Sequence, residues 1–526
     1  MSTHLVLIGG VWRPSDSVST FRAINPQTGT EIPEDYPVSS WNDVDATLQA
    51  AADAAAAVRG WSSDRFADFL EANAAAIESR ADQLVEMAHT ETALPVSPRL
   101  KDVELPRTTG QLRQAAAAAR DGSWVNATID TQAGIRSMFG PIGPVAVFGP
   151  NNFPFAFNGA AGGDYAAAIA AGNPVIAKGH TSHPGTSRLL AEAAQEAAEA
   201  TGMPAGWVQM IYRTQHSDGL KLAADPRLAA IGYTGARNAG LALKEVADKH
   251  GKPIYLELSS INPVFVLPGV LAERSEALAD EFSGSCLMGT GQFCTNPGIV
   301  VLPATKAGET FRDQIVARFE QAATGTMLGE RVRESFLEGV QHLQQAGAEL
   351  LTGGTSTDED RVTCANTVLT VSADRFLTNA EALQAEAFGN GCLLILADVS
   401  QFPAIAAKLE GNLTGCVYSA TDGSDDALYD VLATELRPKV GRLLNDKMPT
   451  GVAVSPAMNH GGPFPATGHP GFTSVGIPTS IHRFSMLQCY DNVRPHRLPA
   501  ALQNASPNPS MWRYIDRQWM QGDVPV

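Results

Sequence analysis

A chain of 526 residues is too long for one hydrophobic core and divides into two or three domains. Its 38 Lys plus Arg against 55 Asp plus Glu give a net charge of -17, which repels phosphate backbones and anionic lipid surfaces and excludes nucleic acid as an expected partner. The composition, 44% hydrophobic and 18% charged, is that of a globular protein; no apolar run reaches the roughly 18 residues of a spanning helix, and the opening MSTHLVLIGGVWRPSDS lacks the basic and apolar regions of a leader, so a cytoplasmic setting without a membrane span is expected.

After a short strand-like start, SSWNDVDATLQAAADAAAAVRGW predicts a helix, with Ser40 and Asp43 in capping-box spacing. SDRFADFLEANAAAIESRADQLVEMAHTET continues with apolar residues at helical spacing, and the alanine runs lie inside such segments rather than in a low-complexity tract. From about residue 143 the texture changes. Apolar runs GPVAVFG, NPVIAKG, AGWVQMIY and LAAIGYTG alternate with helix-like stretches, the pattern of a parallel sheet covered on both faces. A second such series starts near KPIYLELSSINPVFVLPG and runs to about residue 470. The tail SPNPSMWRYIDRQWMQGDVPV has little periodicity, and its two tryptophans favour packing over fraying.

The six cysteines form no CxxC pair and no His/Cys ligand spacing, so neither a disulfide framework nor a metal site is expected. Cys294 differs from the others. GTGQFCTNPG surrounds it with small and polar residues that permit close approach of a ligand, as a nucleophile needs, whereas a buried small hydrophobe is the ordinary role of a cysteine. Glu257 in LELSSINP falls at the end of a strand-like run, where α/β folds form their crevices; a general base and a solvated strand-end charge are both open readings. Asn152 in GPNNFPF stands at another strand end, where a turn asparagine is the ordinary reading. No GxGxxG occurs. YTGARNAG places Gly235 and Gly240 between a strand and a helix, where glycines would let backbone N–H groups approach a pyrophosphate, or simply make a βα turn.

Together, GPIGPVAVFGPNNFPFAFN, GNPVIAKGHTSHPGTS, YTGARNAG, YLELSSINPVFV, GQFCTNPG, EAFGNG and NHGGPFPATG resemble aldehyde dehydrogenases in order and spacing, over nearly the whole chain. The wording KGHTSHPGTS, GQFCTNPG and NHGGPFP is most similar to the NADP-accepting branch that includes 2,5-dioxovalerate (α-ketoglutarate semialdehyde) dehydrogenases and bacterial fatty aldehyde dehydrogenases. The resemblance implies an α/β fold with two parallel-sheet, Rossmann-type domains and a small oligomerisation element. Residues 1–122 and 145–257 would form the cofactor-binding domain and 258–470 the catalytic domain. Residues 123–144 and 471–526 would form the oligomerisation element and tail of a homodimer or homotetramer.

Carried over by motif, Cys294 is the nucleophile, Asn152 the oxyanion donor and Glu257 the base that activates water, which implies a hydrolytic, non-acylating enzyme. His460, in NHGGPFP, falls near the active-site mouth, where it would poise the thiolate or relay protons. For the cofactor, the resemblance implies Lys178, Gly235, Gly240, Glu386 and Phe388. Thr181, where NAD-preferring relatives often carry a glutamate, favours NADP with NAD as the alternative; His180 and Arg213 are further candidates for the 2′-phosphate. His180 and His183 in HTSH lack further ligands for zinc. Departures from the wider family are Ala236 in the glycine turn, Ser259-Ser260-Ile261 in place of two glycines and a lysine, and FGNG without the usual proline.

For the aldehyde, Phe153, Phe157, Phe293 and Phe464 would line an apolar tunnel, with Arg107 and Arg113 on a helix reaching its mouth to receive a carboxylate. The expected reaction is oxidation of 2,5-dioxopentanoate to 2-oxoglutarate. A long-chain fatty aldehyde dehydrogenase and a catalytically silent binding relative are the alternatives.

Overall fold

The computed structural model describes residues 3–358 and 361–525, so Met1, Ser2, Glu359, Asp360 and Val526, which fall within the boundaries drawn from sequence, lie outside it. Two seven-stranded sheets organise the described residues. The first runs in the order Ile254–Glu257, Ala230–Thr234, Val145–Phe148, Val175–Lys178, Val208–Ile211, Val6–Ile8, Val11–Arg13. Its first five strands are parallel and the two N-terminal strands add antiparallel at the edge. The core strands Val145–Phe148, Val175–Lys178 and Val208–Ile211 are apolar and buried almost throughout because helices cover both faces.

The second sheet runs Glu349–Thr352, Thr367–Ser372, Gly391–Ala397, Ile299–Pro303, Val264–Val266, Asn412–Tyr418, Val440–Asn445. Only its first strand is antiparallel to its neighbour. Parallel strands need crossovers, and here helices such as Pro268–Leu287 and Asp426–Leu436 supply them. EFSGSCLMG, read with the second βα series, belongs to the end of the long helix Pro268–Leu287.

Among the N-terminal helices, Trp41–Ala57 is capped by Ser40, whose hydroxyl accepts from the Asn42 N–H. Asp43 does not close a capping box. It is buried and bonded to Ser15 and Arg13 instead, because the N-terminal strands pack over this helix end. The single periodic stretch after it is two helices, Ser63–Ser79 and Ala81–Thr92, broken at Arg80. The C-terminal residues are not frayed. Trp512–Ile515 and Gln518–Gln521 join Ser485–Asp491, Ile135–Pro141 and Thr128–Asp130 in a five-stranded sheet, with Trp512 and Trp519 about half exposed. No described helix is long and apolar enough to cross a membrane.

The site lies where the two large sheets meet. Leu258 N–H donates to Ala466 O at 2.8 Å and Gly468 N–H to Leu256 O at 3.0 Å, so the strand ending at Glu257 is stitched to the loop 459–468. Gly291, in the turn before Cys294, adopts φ +66°, and a Cβ there would overlap the Gly389 carbonyl. Gly291→Ala should therefore lower unfolding stability by about 2–4 kcal/mol through overpacking and left-handed strain. Gly284→Ala, at an exposed helical position with nothing within 4 Å, should raise it by about 0.5–1 kcal/mol. Denaturant unfolding of the two variants checks the opposite signs.

Candidate active site

Three chain segments converge on one point. Glu257 ends its strand at the carboxyl edge of the first sheet, Cys294 sits in the turn that leads into Ile299–Pro303 of the second, and His460 lies in the loop after Val440–Asn445. The His460 Nε2 is 2.8 Å from Glu257 Oε1 and 3.4 Å from Cys294 Sγ, and all three donor atoms lie within 4.8 Å of one another. His460 and Glu257 are 0% and 1% exposed, whereas Cys294 keeps partial access. His460 is therefore buried behind the sulfur rather than placed at the mouth, since Ser474 N–H and Thr473 Oγ1 bond its backbone into the interior.

Burial pushes the Glu257 carboxyl up, but the charge of His460 and bonds from His460 and Ser474 outweigh it and leave the group below its ordinary value. Burial and then the Glu257 charge hold the Cys294 thiol well above its ordinary value, opposed by Arg107 and Arg442. The resting sulfur is thus a thiol next to an ionised carboxylate, bridged by an imidazole. These three donors would also suit a soft divalent cation, a set that the sequence spacing alone did not suggest. HTSH is not such a set: His183 Nε2 is committed to the Pro150 carbonyl at 2.9 Å.

Asn152 follows the strand Val145–Phe148. One Nδ2 hydrogen goes to the Gln292 carbonyl at 3.0 Å, two residues before Cys294, which leaves the other for a ligand. The Cys294 backbone N–H has no partner among the described residues. Two residues that the sequence did not single out hold these donors. Glu104 accepts from the Phe155 and Ala156 N–H groups at 2.9 and 3.0 Å, and Asn262 donates to the carbonyls of Cys294 and Asn296, both at 2.9 Å. Glu104 lies in no quoted motif, and Asn262, although it falls within YLELSSINPVFV, stands out only by its left-handed backbone, φ 45°. Ser474, which donates to Glu257 Oε2 at 3.2 Å, was equally silent.

Phe153, Phe157 and Phe293 form an edge-to-face cluster, with centroids 5.3 and 5.4 Å apart, and Val475, Val452, Val454 and Met458 pack on it. Phe464 does not join them. It is 60% exposed, with the Arg237 guanidinium 5.8 Å from its ring, because its loop turns toward the helix Arg237–Lys249. Arg107 stands over the Phe153 and Phe157 rings at 5.6 and 5.3 Å. Arg113, further along the same helix, points away and pairs with Glu78 and Glu71 at the surface, which removes it from the tunnel.

On the other side of Glu257, Lys178, His180 and Thr181 line the end of the strand Val175–Lys178, with Arg213 on the neighbouring short strand. Lys178 and Arg213 make no ion pair among the described residues. Burial and then Arg213 lower the Lys178 ammonium to about 8. Burial, His183 and Lys178 hold His180 well below its ordinary value, so it stays neutral and keeps Nε2–H as a donor, Nδ1 accepting from Ser182 N–H. Glu386 and Phe388 line a small cavity of about 30 Å³, and Glu386 also lines a neighbouring cleft of about 210 Å³. Burial raises the Glu386 carboxyl to about 7.

Gly235 and Gly240 bracket the helix start where backbone N–H groups were expected to meet a pyrophosphate, but their own N–H groups are already bonded. Gly235 N–H is bonded to Glu257 O and Gly240 N–H to Ala236 O, and Gly240 serves instead to bring its helix against Leu258 and Tyr233. The free N–H groups are those of residues 237–239, in the first turn of the helix Arg237–Lys249, whose N-cap Ala236 has no capping side chain. A dinucleotide fits these features: an uncapped helix N-terminus suits a pyrophosphate, and an unpaired lysine and arginine suit a ribose or its phosphate.

Comparison with known proteins agrees with this arrangement. The chain is 38% identical over 93% of its length, and 95% of the relative's, to alpha-ketoglutaric semialdehyde dehydrogenase 2 of Azospirillum brasilense. It is 36% identical, with 90% of each chain covered, to the alpha-ketoglutaric semialdehyde dehydrogenase of Acinetobacter baylyi. Its fold is similar to aldehyde dehydrogenase C of Pseudomonas syringae, solved as a mutant with NAD+ and octanal (TM-score 0.80, 20% identity, 94% and 98% covered), and to a putative aldehyde dehydrogenase of Burkholderia cenocepacia (TM-score 0.79, 21% identity, 94% and 99% covered). Residues 12–426 match the aldehyde dehydrogenase family as a whole, and with the two relatives above they establish that this chain is a member of it.

Proposed function

We propose that the protein oxidises α-ketoglutaric semialdehyde (2,5-dioxopentanoate) to 2-oxoglutarate with NADP, by hydrolysis of a cysteine thioester. The carrying observation is the convergence of Cys294, His460 and Glu257 within 4.8 Å. The names of the two relatives at 36 and 38% identity support the substrate. A long-chain aldehyde has weaker support, because the Arg107 guanidinium lies over the Phe153 and Phe157 rings without an ion pair and an alkyl chain gives it no counter-charge.

His460 is placed to move the first proton. A proton given from Nε2 to Glu257 leaves that nitrogen able to take the Cys294 proton 3.4 Å away, and the thiolate then adds to the aldehyde carbon. The free hydrogen of Asn152 Nδ2 and the Cys294 N–H stabilise the alkoxide; loss of one such donor typically adds about 3 kcal/mol to the barrier. A nicotinamide held at this site would supply the hydride acceptor, and loss of the hydride would leave the Cys294 adduct as a thioester. Glu257 first passes the proton it took to solvent; as a carboxylate again it removes a proton from water, and attack on the thioester releases the acid and the thiol. Lys178 and Arg213 hold the 2′-phosphate as cations, with Thr181 and neutral His180 as hydrogen-bond donors. The five-stranded sheet, with Met486, Leu487, Trp512 and Trp519 exposed, supports a homodimer or homotetramer. Six free thiols support a reducing, cytoplasmic setting.

Glu257→Gln should slow the NADPH burst, because the first proton loses its acceptor, and should lower steady turnover by about 10²–10⁴, the usual worth of a general base; stopped-flow absorbance reads both phases. The same variant removes the charge that holds the Cys294 thiol up, so the pH profile of iodoacetamide alkylation should move to lower pH, whereas in the wild type reactivity climbs only as pH rises. Lys178, lowered to about 8, loses its charge as pH rises through that value, so the ratio of kcat/KM for NADP over NAD should shrink between pH 7 and 9. Thr181→Glu should cut that ratio at pH 7 by about tenfold or more, through repulsion of the phosphate. Unchanged cofactor ratios in both experiments would refute the phosphate site.

A further inference from the structure

Arg442 is a second cation beside the sulfur, and hydrolysis of a thioester assigns it no task. Among the described residues Arg107 makes no hydrogen bond and no ion pair, and its Nε and Nη2 are buried without partners. On the strand Val440–Asn445, Arg442 has a buried, unpartnered Nε, and its other nitrogens reach only the Pro449 and Gly451 carbonyls, at a weak 3.4 Å. Gly451 N–H is bonded to Thr295 Oγ1 at 3.1 Å, beside Cys294, and the loop that follows packs on the phenylalanine cluster. Two guanidiniums on separate elements, the helix Leu105–Asp121 and the strand Val440–Asn445, thus lie near enough to act on the sulfur. Burial and then Arg107 disfavour the charge of Arg442, burial and Arg99 disfavour that of Arg107, and the Cys294 thiolate favours both. The third nearby arginine is not free, since Arg99 pairs with Glu104 and bonds the Asn152 carbonyl. Buried cations without counter-charges are costly unless an anion joins them, and guanidinium groups match planar oxyanions.

We propose that Arg442 and Arg107 form a clamp for the end of the substrate remote from the aldehyde, and that Arg442 thereby selects aldehydes ending in a 2-oxo carboxylate. The clamp takes the carboxylate on one guanidinium and shares the oxo and carboxylate oxygens with the other, so the aldehyde carbon is held at Cys294. This rests on the oxidation proposed above and specifies its substrate class. Loss of either arginine also withdraws positive charge from the thiol, which slows every aldehyde alike. The selectivity ratio cancels that effect.

The experiment measures kcat and KM for α-ketoglutaric semialdehyde, glutaric semialdehyde and pentanal with wild type, Arg442→Gln, Arg442→Lys and Arg107→Gln, together with binding of 2-oxoglutarate by calorimetry. Arg442→Gln should lower the kcat/KM ratio of α-ketoglutaric semialdehyde over pentanal by about tenfold or more, chiefly through KM, and weaken 2-oxoglutarate binding by a similar factor. Arg442→Lys, which keeps the charge but not the fork, should fall between, and it carries the test if the glutamine variant does not fold. An equal loss for all three aldehydes with unchanged 2-oxoglutarate binding would overturn the clamp and leave Arg442 as a prop for the loop 449–458. A wild type that prefers glutaric semialdehyde to its 2-oxo form, yet loses that preference over pentanal in Arg442→Gln, would overturn the 2-oxo selection and the proposed substrate but keep the carboxylate clamp. A wild type that prefers pentanal overturns both.

Discussion

The contact on which the site depends is the 2.8 Å hydrogen bond between His460 and Glu257, made across the seam of the two large sheets. Burial at 1% exposure pushes the Glu257 carboxyl up, and His460 beside it is the main compensation that brings it down. The pair therefore fixes how the carboxyl edge of the first sheet and the loop 459–468 meet. The sulfur of Cys294 comes within reach of both because its own turn is tied down by Asn262 and Gln292. Proximity of nucleophile and base is thus a consequence of fold packing, with Ser474 and Thr473 as its outer supports.

Electrostatics divides the remaining space in two. On the cofactor side lie an uncapped helix start, unpaired Lys178 and Arg213, and Glu386 with its carboxyl raised by burial to about 7. On the other side lie three aromatic rings, two of them under Arg107 and two under Arg99, with Arg442 near enough to act on the sulfur. A chain of net charge -17 that concentrates unpaired cations at these places is arranged for small anions, even though its surface as a whole repels them.

Several elements could be read from local patterning because their causes are local. Strand and helix alternation after residue 143 follows from apolar runs and glycine turns, and each strand there formed where the runs lie. Cys294 stood out because small neighbours are needed wherever backbone must pass close to backbone, as at Gly291 against Gly389. Other positions were misread for equally physical reasons. Arg113 and Arg107 lie on one helix, but they are six residues apart and face different sides, one toward Glu78 and the other toward the rings. Gly240 looked like a phosphate glycine, yet its missing Cβ makes room for Leu258 and Tyr233. Phe464 shares its residue type with the tunnel and sits outside it.

By itself the sequence determined the α/β class, the family, and the residue types able to act as nucleophile, amide donor and base, since these depend on short motifs and on periodicity. Only the tertiary structure decided that His460 is buried between Cys294 and Glu257, that Glu104, Asn262 and Ser474 hold the site, and that the charge of Arg442 acts on the sulfur. Those relations join residues far apart in the chain. Burial and charge pairing between such residues arise only when separate sheets and loops pack together, so no local signal encodes them.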